Sequence, residues 1–341
     1  MRFDTALVIA GGAFGTSIGF VLTQNFKKVI IKVRSPEIYQ EINSGENKTY
    51  LPGQALPETL KAALTWEEVE QLQEGEIDLI ISGLPMSGID SFCNENGSSV
   101  TRYLDRGIPL VSLAKGIDHE TLKLPDEMYD THFAKYRSQL LYLSGPSFAN
   151  EILQKQITMV SLAGEDKGHL LQACEMLATE FFKAVPTADV RGVLLGGALK
   201  NVIAIAGGIL EGLGYNHNTR AALVTRGIVE MLRFGVVFGA RPETFYGPSG
   251  MGDLILTTTG ELSRNKAFGL EIAKGRKAEE IIRKTRSVVE GYKTTEAAYK
   301  LSVRENIRTH IFSGLYRVLY ENQDPREVIG EIMRLPVKLE D

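Results

Sequence analysis

The sequence predicts an α/β protein in which a mainly parallel sheet domain is followed by an all-helical domain. Short apolar runs alternate with helical segments over the first half of the chain, a pattern typical of a parallel sheet covered by helices on both faces. Strand-like runs then disappear, and long helical periods replace them. We therefore predict two domains, at residues 1–187 and 188–341 of the 341-residue chain.

Apolar runs rich in Val, Ile and Leu predict the strands. They are Thr5–Ala10, Val29–Val33, Ile77–Ile81, Leu110–Leu113, Leu140–Leu143 and Thr158–Leu162. Capping signals predict helices between them, since Ser35 precedes a proline and Thr65 stands three residues before Glu68. Beyond the predicted boundary, helices are expected at about residues 190–213, 218–238, 263–275 and 291–303.

Composition excludes several classes of protein. The net charge of −4 argues against a dominant nucleic-acid or anionic-membrane partner, and 43% hydrophobic residues supply ample core material. Cys93 and Cys174 form no disulfide framework, and the five histidines are scattered, so the sequence predicts no metal site. The first residues lead directly into a strand without the pattern of a secretory signal, and we expect a cytoplasmic protein.

A glycine-rich turn follows the first predicted strand. Gly12 and Gly15 match the second and third glycines of the dinucleotide-binding fingerprint, whereas Ala10 stands at the first. The alternative is a glycine turn that serves packing alone. Its place after the first strand of an α/β chain favours a Rossmann-type domain in which a helix N-terminus attracts phosphate. The residues expected to bind NAD or NADP here are Gly12, Ala13, Phe14, Gly15 and Thr16.

The end of the second strand bears on the choice of cofactor. An acidic residue there would hold a free ribose 2′-hydroxyl, but the chain has Arg34 and Ser35, which suit a 2′-phosphate. The sequence therefore predicts that NADP(H) is preferred and that NAD(H) is usable. The alternative is that Arg34 is a solvated charge at a strand end.

One predicted helix carries a lysine within an apolar run. Residues 193–210 read VLLGGALKNVIAIAGGIL, where Lys200 and Asn201 are the polar side chains. The run is long enough to span a bilayer, but a central lysine and four glycines indicate a helix buried in protein. An unpaired buried ammonium costs several kcal/mol, so Lys200 needs a partner or a chemical role. A lysine that reaches the surface, or that closes a structural ion pair, is the alternative. Gly196 and Gly197 would leave room beside it for a small molecule.

Several short blocks of the chain stand in the same order as in one known family. They are GGAFGTS at 11–17, ENKTYLPG at 46–53, SLAKGI at 112–117, LSGPSFA at 143–149, GGALKNV at 196–202, NTRAAL at 218–223, GMGDL at 250–254, SRN at 263–265 and VVEG at 288–291. In these blocks the chain resembles the NAD(P)-dependent glycerol-3-phosphate dehydrogenases of the bacterial type. It departs from them at Ala10, Phe14 and His217, and residues 84–89 match only loosely.

The resemblance implies a reaction and a set of site residues. The reaction is the reversible interconversion of sn-glycerol 3-phosphate and dihydroxyacetone phosphate, which supplies glycerol 3-phosphate for phospholipid synthesis. Lys200 is then the proton-transfer residue, with Lys115 and Asp253 beside it. The implied substrate contacts are Lys115, Gly145, Ser147, Lys200, Asn201, Asp253, Thr257, Ser263, Arg264 and Asn265. Further implied cofactor contacts are Arg34, Lys115, Ala149, Arg264, Val288 and Glu290. We expect a homodimer with no nucleic-acid partner and no stable membrane insertion.

The chemistry is consistent with these residues. Removing hydride from a carbinol carbon requires a base for its hydroxyl proton, and a lysine whose pKa is lowered by burial and a second cation can supply one. Lys115 follows a parallel strand at the carboxyl edge, where ligands bind, and Asp253 could orient both ammonium groups. Ser263, Arg264 and Asn265 open a helix and could bind a phosphate; a cap and a surface charge are the alternative.

Two rival functions remain at this level. A reductase of the β-hydroxyacid or ketopantoate type would share the two-domain plan, but its carboxylate substrate does not call for a phosphate site. A non-catalytic nucleotide-binding sensor would keep the fold without the chemistry, and the presence of both Lys115 and Lys200 speaks against it.

Overall fold

The first half of the chain folds around one large sheet in the computed structural model, which describes residues 2–284 and 289–336. The strands are β1 (Phe3–Ile9), β2 (Phe26–Lys32), β3 (Glu46–Asn47), β4 (Leu51–Ala55), β5 (Leu60–Ala63), β6 (Ile77–Ser82), β7 (Leu110–Ser112), β8 (Leu140–Ser144), β9 (Thr158–Ala163) and β10 (Phe182–Thr187). Eight of them form a sheet in the order β10-β9-β8-β7-β6-β1-β2-β5, while β3 and β4 pair separately. Within the large sheet only β8 and β9 run antiparallel to each other.

The order of the strands determines where a ligand would bind. The chain builds β2 and β5 on one side of β1 and then crosses to β6, β7 and β8 on the other. This doubly wound order opens a crevice between β1 and β6 at the carboxyl ends of the strands. The glycine turn that follows β1 lies at this crevice.

Helices cover both faces of the sheet. They are α1 (Ala13–Leu22), α2 (Pro36–Asn43), α3 (Trp66–Leu72), α4 (Ile89–Leu104), α5 (Pro125–Phe133), α6 (Ala149–Leu153) and α7 (Lys167–Leu177). The hydroxyls of Ser35 and Thr65 accept hydrogen bonds from backbone N–H groups three residues later, as their capping signals predict. The Glu68 carboxylate accepts from the N–H of Leu64 and not from that of Thr65, so the predicted capping box is displaced by one residue.

Beyond Thr187 the described residues form helices and short helical turns. The helices are α8 (Val190–Gly212), α9 (His217–Val237), α10 (Asp253–Thr259), α11 (Arg264–Ala273), α12 (Ala278–Lys284), α13 (Glu290–Arg304), α14 (Ile311–Tyr320) and α15 (Pro325–Met333). The long helix α8 is central, because α9, α10, α11 and α13 all pack against it. Its length and composition would allow it to cross a membrane, but 89% of its most apolar stretch is buried inside the protein. It is a core helix.

All six predicted strands are present, with ends that differ by a few residues. Two strands of the large sheet are missing from the prediction, β5 and β10, and both lie at its edges. Edge strands need less apolar sequence, because one side of the strand is not covered by a neighbour. Pro186 is tolerated in β10 for the same reason. The short β3–β4 pair also carried no apolar signal.

The two parts of the chain share a hydrophobic core. One cluster of buried residues covers one face of the sheet and continues through α8 into the helical part, while the other face has a core of its own. Because the last strand ends at Thr187 and α8 begins at Val190, we place the domain boundary between them. We propose this boundary although the sheet part and the helical part pack closely against each other.

Candidate functional site

Two lysines and one aspartate that are distant in sequence meet in the structure. The Asp253 carboxylate accepts from Lys200 Nζ at Oδ1, at 2.7 Å, and from Lys115 Nζ at Oδ2, at 2.8 Å. Lys200 lies in the middle of α8, Lys115 in the loop after β7, and Asp253 at the start of α10. The loop after β7 lies at the carboxyl edge of the sheet, so the cluster borders the predicted ligand crevice.

The surroundings of Lys200 favour proton transfer. Lys200 is 8% exposed and Asp253 1%. Burial lowers the pKa of Lys200 from 10.5 to about 8, with a smaller contribution from the positive charge of Lys115, although Asp253 opposes the shift. Burial alone would raise the pKa of Asp253, but the two ammonium groups hold it below its ordinary value. The cluster therefore contains a carboxylate and a lysine that can change protonation near neutral pH.

Thr257 completes the hydrogen bonds of Lys200. Its hydroxyl accepts from Lys200 Nζ at 2.9 Å and donates to the backbone carbonyl of Asp253 at 2.6 Å. An ammonium has three N–H donors, and Asp253 and Thr257 take two of them. The third has no hydrogen-bond partner among the described residues.

The prediction that the two glycines before Lys200 leave room for a small molecule is wrong, because neighbouring segments pack directly against them. A Cβ on Gly196 would lie 2.6 Å from the backbone oxygen of Ser249, and one on Gly197 would lie 2.4 Å from Ser144 Oγ. The glycines thus allow β8 and the turn before α10 to approach α8 closely. Their effect on the site is indirect, because this close packing places the lysine.

The segment after β8 contacts the same cluster. The carbonyl oxygen of Gly145 accepts from Lys115 Nζ at 3.0 Å and from the Ser147 hydroxyl at 2.8 Å. Both predicted substrate contacts therefore lie next to Lys115. Gly145 also has a φ of +152°, and a Cβ there would come within 2.8 Å of Val160, so glycine is required.

The predicted phosphate site lies at the N-terminus of α11. The hydroxyl of Ser263 caps this helix by accepting from the N–H of Lys266. A helix cap was the alternative to phosphate binding that the sequence allowed for Ser263. Arg264 is exposed, and its charge acts on both Lys200 and Glu290. Asn265 is buried among three helices, since its Nδ2 donates to Asn201 and its Oδ1 accepts from the N–H of Gly291. The structure thus brings α8, α11 and α13 together at this helix terminus.

The glycine turn fits a dinucleotide. A Cβ on Gly12 would meet nothing within 4 Å, whereas one on Gly15 would lie 2.3 Å from the carbonyl oxygen of Ala10. No side-chain cap bonds to the N-terminus of α1 at Gly12, which leaves N–H groups of its first turn for a ligand. The ring of Phe14 lies 5.4 Å from Lys115 Nζ, which links the turn to the lysine cluster.

Ala10 adopts a left-handed backbone conformation. A methyl group at this position would be unstrained at negative φ, but the φ of Ala10 is +78°. This conformation costs a non-glycine residue roughly 1–2 kcal/mol. A glycine at the first fingerprint position would adopt this positive φ without strain. In this chain Ala10 adopts it, at the cost of that strain.

Sequence reasoning missed Asn47. This buried side chain donates from Nδ2 to the carbonyl of Gly11 at 3.0 Å and to the hydroxyl of Thr16 at 2.9 Å. It holds the glycine turn from the outside, and Thr16 is consequently buried and occupied by this contact. Asn47 belongs to the ENKTYLPG block, but a block match alone does not show that this side chain contacts the glycine turn.

The remaining predicted cofactor contacts are dispersed around the crevice. Arg34 is exposed at the end of β2, and Ala149 is the first residue of α6, which packs against α1. Glu290 opens α13 beside Gly116, and burial raises its pKa to about 7. Val288 lies outside the described residues.

Comparison with known proteins agrees with this geometry. A doubly wound strand order with an open glycine turn near a buried lysine–aspartate cluster is typical of an NAD(P)-dependent oxidoreductase. Models of the N- and C-terminal parts of NAD-dependent glycerol-3-phosphate dehydrogenase match residues 5–170 and 189–330. The chain therefore belongs to the glycerol-3-phosphate dehydrogenase family.

Individual relatives match over nearly the whole chain. The glycerol-3-phosphate dehydrogenase (NAD(P)+) of Leptospira biflexa is 39% identical, with 98% of each chain covered, and that of Nitratidesulfovibrio vulgaris is 40% identical, with 96% and 97% covered. The crystal structure of the Coxiella burnetii glycerol-3-phosphate dehydrogenase is similar with a TM-score of 0.86 and 29% identity, covering 97% of this chain and 99% of that one.

Proposed function

We propose that this protein interconverts sn-glycerol 3-phosphate and dihydroxyacetone phosphate with Lys200 as the proton-transfer residue. The observation that carries the proposal is the pair of ammonium groups held by one buried carboxylate, Asp253. Two cations at the carbonyl oxygen stabilise the negative charge that develops there during reduction. The reaction class itself follows from the family.

Lys200 is suited to both directions of the reaction. With a pKa of about 8 it is mostly protonated at pH 7 and can donate a proton to the forming alkoxide. In the oxidation direction its neutral form accepts the hydroxyl proton. Lys115, which stays bound to Asp253 and to the Gly145 carbonyl, orients the same oxygen.

The bound nicotinamide supplies or accepts the hydride. The turn after β1 and the N-terminus of α1 would hold its pyrophosphate, where Gly12 leaves space and Asn47 fixes the backbone. Glu290 and Arg264 would border the nicotinamide end, because both lie near the lysine cluster.

One assay tests the proposed substrate. Purified protein should oxidise NADPH with dihydroxyacetone phosphate and should be poor with unphosphorylated dihydroxyacetone or with ketopantoate. Turnover of ketopantoate in preference to the phosphorylated ketone would support the rival reductase. Binding of NADPH without turnover of any of these ketones would support the sensor.

We also propose that NADPH is preferred over NADH. Arg34 lies exposed at the end of β2 with Ser35 beside it and no acidic residue at that strand end. A charge-assisted hydrogen bond to a 2′-phosphate contributes about 1.5–3 kcal/mol, or roughly 10- to 100-fold in kcat/KM. Arg34→Ala should lower kcat/KM for NADPH by this factor and leave that for NADH nearly unchanged. A wild-type preference for NADH, or equal losses for both cofactors, would contradict the assignment.

The cellular setting is inferred from the same assignment. The product would serve as the glycerol backbone of phospholipids, and we infer a cytoplasmic homodimer. Exposed apolar side chains such as Val236 and Met333 leave surface available for a second subunit. Sedimentation of the purified protein tests the dimer.

A further inference from the structure

A buried phenol that the proposed mechanism does not use lies at the carboxyl ends of two strands. It belongs to Tyr129 of α5, which is 1% exposed, and its oxygen lies 2.7 Å from the hydroxyl of Ser82 at the end of β6. The hydroxyl of Ser112, at the end of β7, interacts with the same phenol. Ser82 and Ser112 are partners in the parallel pairing of these strands, so one tyrosine contacts two adjacent strand ends at the edge where ligands bind.

The phenol can act only through hydrogen bonds. Burial raises the pKa of Tyr129 above its ordinary value of 10, so the group stays neutral. A neutral phenol both donates and accepts, which allows it to bond to two hydroxyls at once. A buried hydroxyl costs free energy unless it is hydrogen-bonded, whereas phenylalanine would fill the same space without that cost. The two serines are therefore what distinguishes tyrosine from phenylalanine at this position.

Ser112 connects this phenol to Lys115. The Oγ atom of Ser112 accepts a hydrogen bond from the backbone N–H of Ala114 at 3.3 Å, which fixes the turn directly after β7. Lys115 is the next residue, and its ammonium donates to Asp253. A serine hydroxyl without a second partner can rotate away from this N–H, whereas its contact with Tyr129 holds it in place. The phenol is thus linked to the Lys115 backbone by two successive contacts.

Ser82 provides a fixed support on the other side of the phenol. Gly83 follows it, and the N–H of Gly83 donates to the carbonyl of Ile9, the last residue of β1, at 2.8 Å. A Cβ on Gly83 would lie 3.1 Å from the Cα of Gly15, so this strand end packs directly on the glycine turn. Tyr129 therefore joins the turn that carries Lys115 to a closely packed part of the sheet.

We propose that Tyr129 is a positioning residue for the reaction, which holds Lys115 at Asp253 through the Ser112 hydroxyl. The inference rests on the roles proposed above for Lys115 and Lys200. Without the phenol, the turn after β7 should loosen, and the Lys115 ammonium should move away from the carboxylate. A displacement of about 1 Å at a reacting group can cost about 100-fold in rate.

The pKa of Lys200 reports on the position of Lys115. Burial and, to a smaller extent, the positive charges of Lys115 and Arg264 lower it to about 8, while Asp253 opposes the shift. Moving the Lys115 ammonium away removes a repulsion and leaves more of the carboxylate's attraction to Lys200. Loss of the phenol should therefore raise the pH at which kcat/KM for glycerol 3-phosphate oxidation increases.

Tyr129→Phe tests the proposal in the full-length enzyme. It removes the hydroxyl and keeps the ring, which stacks on Phe133. Single-turnover reduction of dihydroxyacetone phosphate by NADPH should slow by roughly 10- to 100-fold. The ionisation near pH 8 should move to higher pH. Ser112→Ala should reproduce both effects, and it tests the same link if Tyr129→Phe does not fold. The double variant should lose little more than either single one, because both changes break one chain of contacts.

Tyr136→Phe is the matched control. Tyr136 is 8% exposed, and its hydroxyl donates to Asp105 at 2.7 Å. These two residues precede β8 and β7, so they lie at the opposite edge of the sheet from the lysine cluster. Tyr136→Phe should lower the denaturant midpoint as Tyr129→Phe does, but it should keep the wild-type turnover and the ionisation near pH 8.

Three results would overturn the proposal. The first is a normal single-turnover rate for Tyr129→Phe, and the second is an equal loss of rate in Tyr136→Phe. The third is a slower Tyr129→Phe whose ionisation has not moved, because the phenol would then support the fold without placing Lys115. A wild type without an ionisation near pH 8, or normal turnover by Lys115→Met, would instead contradict the proposed function, and this inference with it.

Discussion

Lys200 illustrates how a single residue acquires its chemistry from its surroundings. The apolar helix removes water from its ammonium, and the nearby charge of Lys115 adds to the shift that burial begins. Asp253 stabilises the charged form of Lys200, because its carboxylate lies 2.7 Å from the ammonium nitrogen. The sequence also allowed Lys200 to close a structural ion pair. That ion pair is present, with Asp253, and it is compatible with a catalytic role.

Replacing Lys200 tests that role. Lys200→Met should bind NADPH and keep the fold, but the chemical step should slow by about 10²–10⁴-fold because the acid–base group is lost. For the wild type, kcat/KM for glycerol 3-phosphate oxidation should rise with pH through an ionisation near 8, the pKa to which burial lowers Lys200. Single-turnover rates and pH profiles measure both effects.

Lys266→Met is the matched control, because Lys266 is also buried but pairs with Glu211 outside the cluster. It should keep the pH profile of the wild type. If Lys200→Met turns over normally and Lys115→Met does not, the two lysines have exchanged roles.

Arg264 is expected to hold the substrate phosphate. A hydrogen bond to a charged group contributes about 1.5–3 kcal/mol, so Arg264→Ala, at an exposed position, should lower kcat/KM for dihydroxyacetone phosphate by roughly 10- to 100-fold. Activity on unphosphorylated dihydroxyacetone should change much less. Lys274→Ala, which removes an exposed charge from the other end of α11, is the control. Equal losses on both substrates would assign Arg264 another role.

At the level of elements, helix α14 receives its N-terminal cap from another helix. The buried Glu230 of α9 accepts backbone hydrogen bonds from His310, Ile311 and Phe312, at distances of 2.6 to 3.3 Å. Burial raises the pKa of this carboxyl above its usual value, although the three N–H groups act in the opposite direction. A carboxylate at a helix N-terminus also interacts favourably with the helix dipole.

Glu230→Gln should therefore destabilise the protein. The amide cannot accept at both positions, and a buried N–H left without a partner costs about 1–3 kcal/mol. Denaturant unfolding should show this loss, and hydrogen exchange should localise it to the first turn of α14. Glu261→Gln, at an exposed position, is the control. Unchanged protection in α14 would mean that the cap contributes little.

At the scale of the whole molecule, an ion-pair cluster joins the two parts of the chain. Arg191, in the first turn of α8, contacts Asp126 at 3.1 Å and Glu127 at 3.3 Å, both on α5. Asp126 is 5% exposed, and burial raises its pKa from 3.8 to about 6 despite the attraction of Arg191. The ionised form is therefore less favourable in the folded protein than in the unfolded chain.

Stability depends on pH because the Asp126 carboxyl binds its proton more tightly in the folded protein than in the unfolded chain. Because the folded pKa of Asp126 is higher, the native state binds more protons between about pH 4 and pH 6, and stability from this group falls as pH rises through that window. The total is about 3 kcal/mol at 1.36 kcal/mol per pKa unit. Asp126→Asn should gain stability relative to the wild type by up to this amount over the window. Denaturant unfolding at several pH values measures the difference, with exposed Glu58→Gln as the control. A difference that does not change with pH would contradict the assignment.

The sequence by itself determined the class of fold, the six central strands, the long helices of the second part and the identity of the two lysines. These features depend on local signals: apolar runs, helical periodicity, a turn after a strand and a charge within an apolar helix. The edge strands β5 and β10 lacked such a signal, since strands at the edge of a sheet need less apolar sequence.

Only the tertiary structure decided how the predicted residues meet. Asp253 lies 53 residues from Lys200 and 138 from Lys115 in sequence, and no local pattern states that its two oxygens bind both ammonium groups. The positive φ of Ala10 and the contact of Asn47 with the glycine turn also arise from packing between distant segments. Such contacts form when elements assemble, because the free energy that holds them comes from burial and from neighbours that the sequence alone does not place.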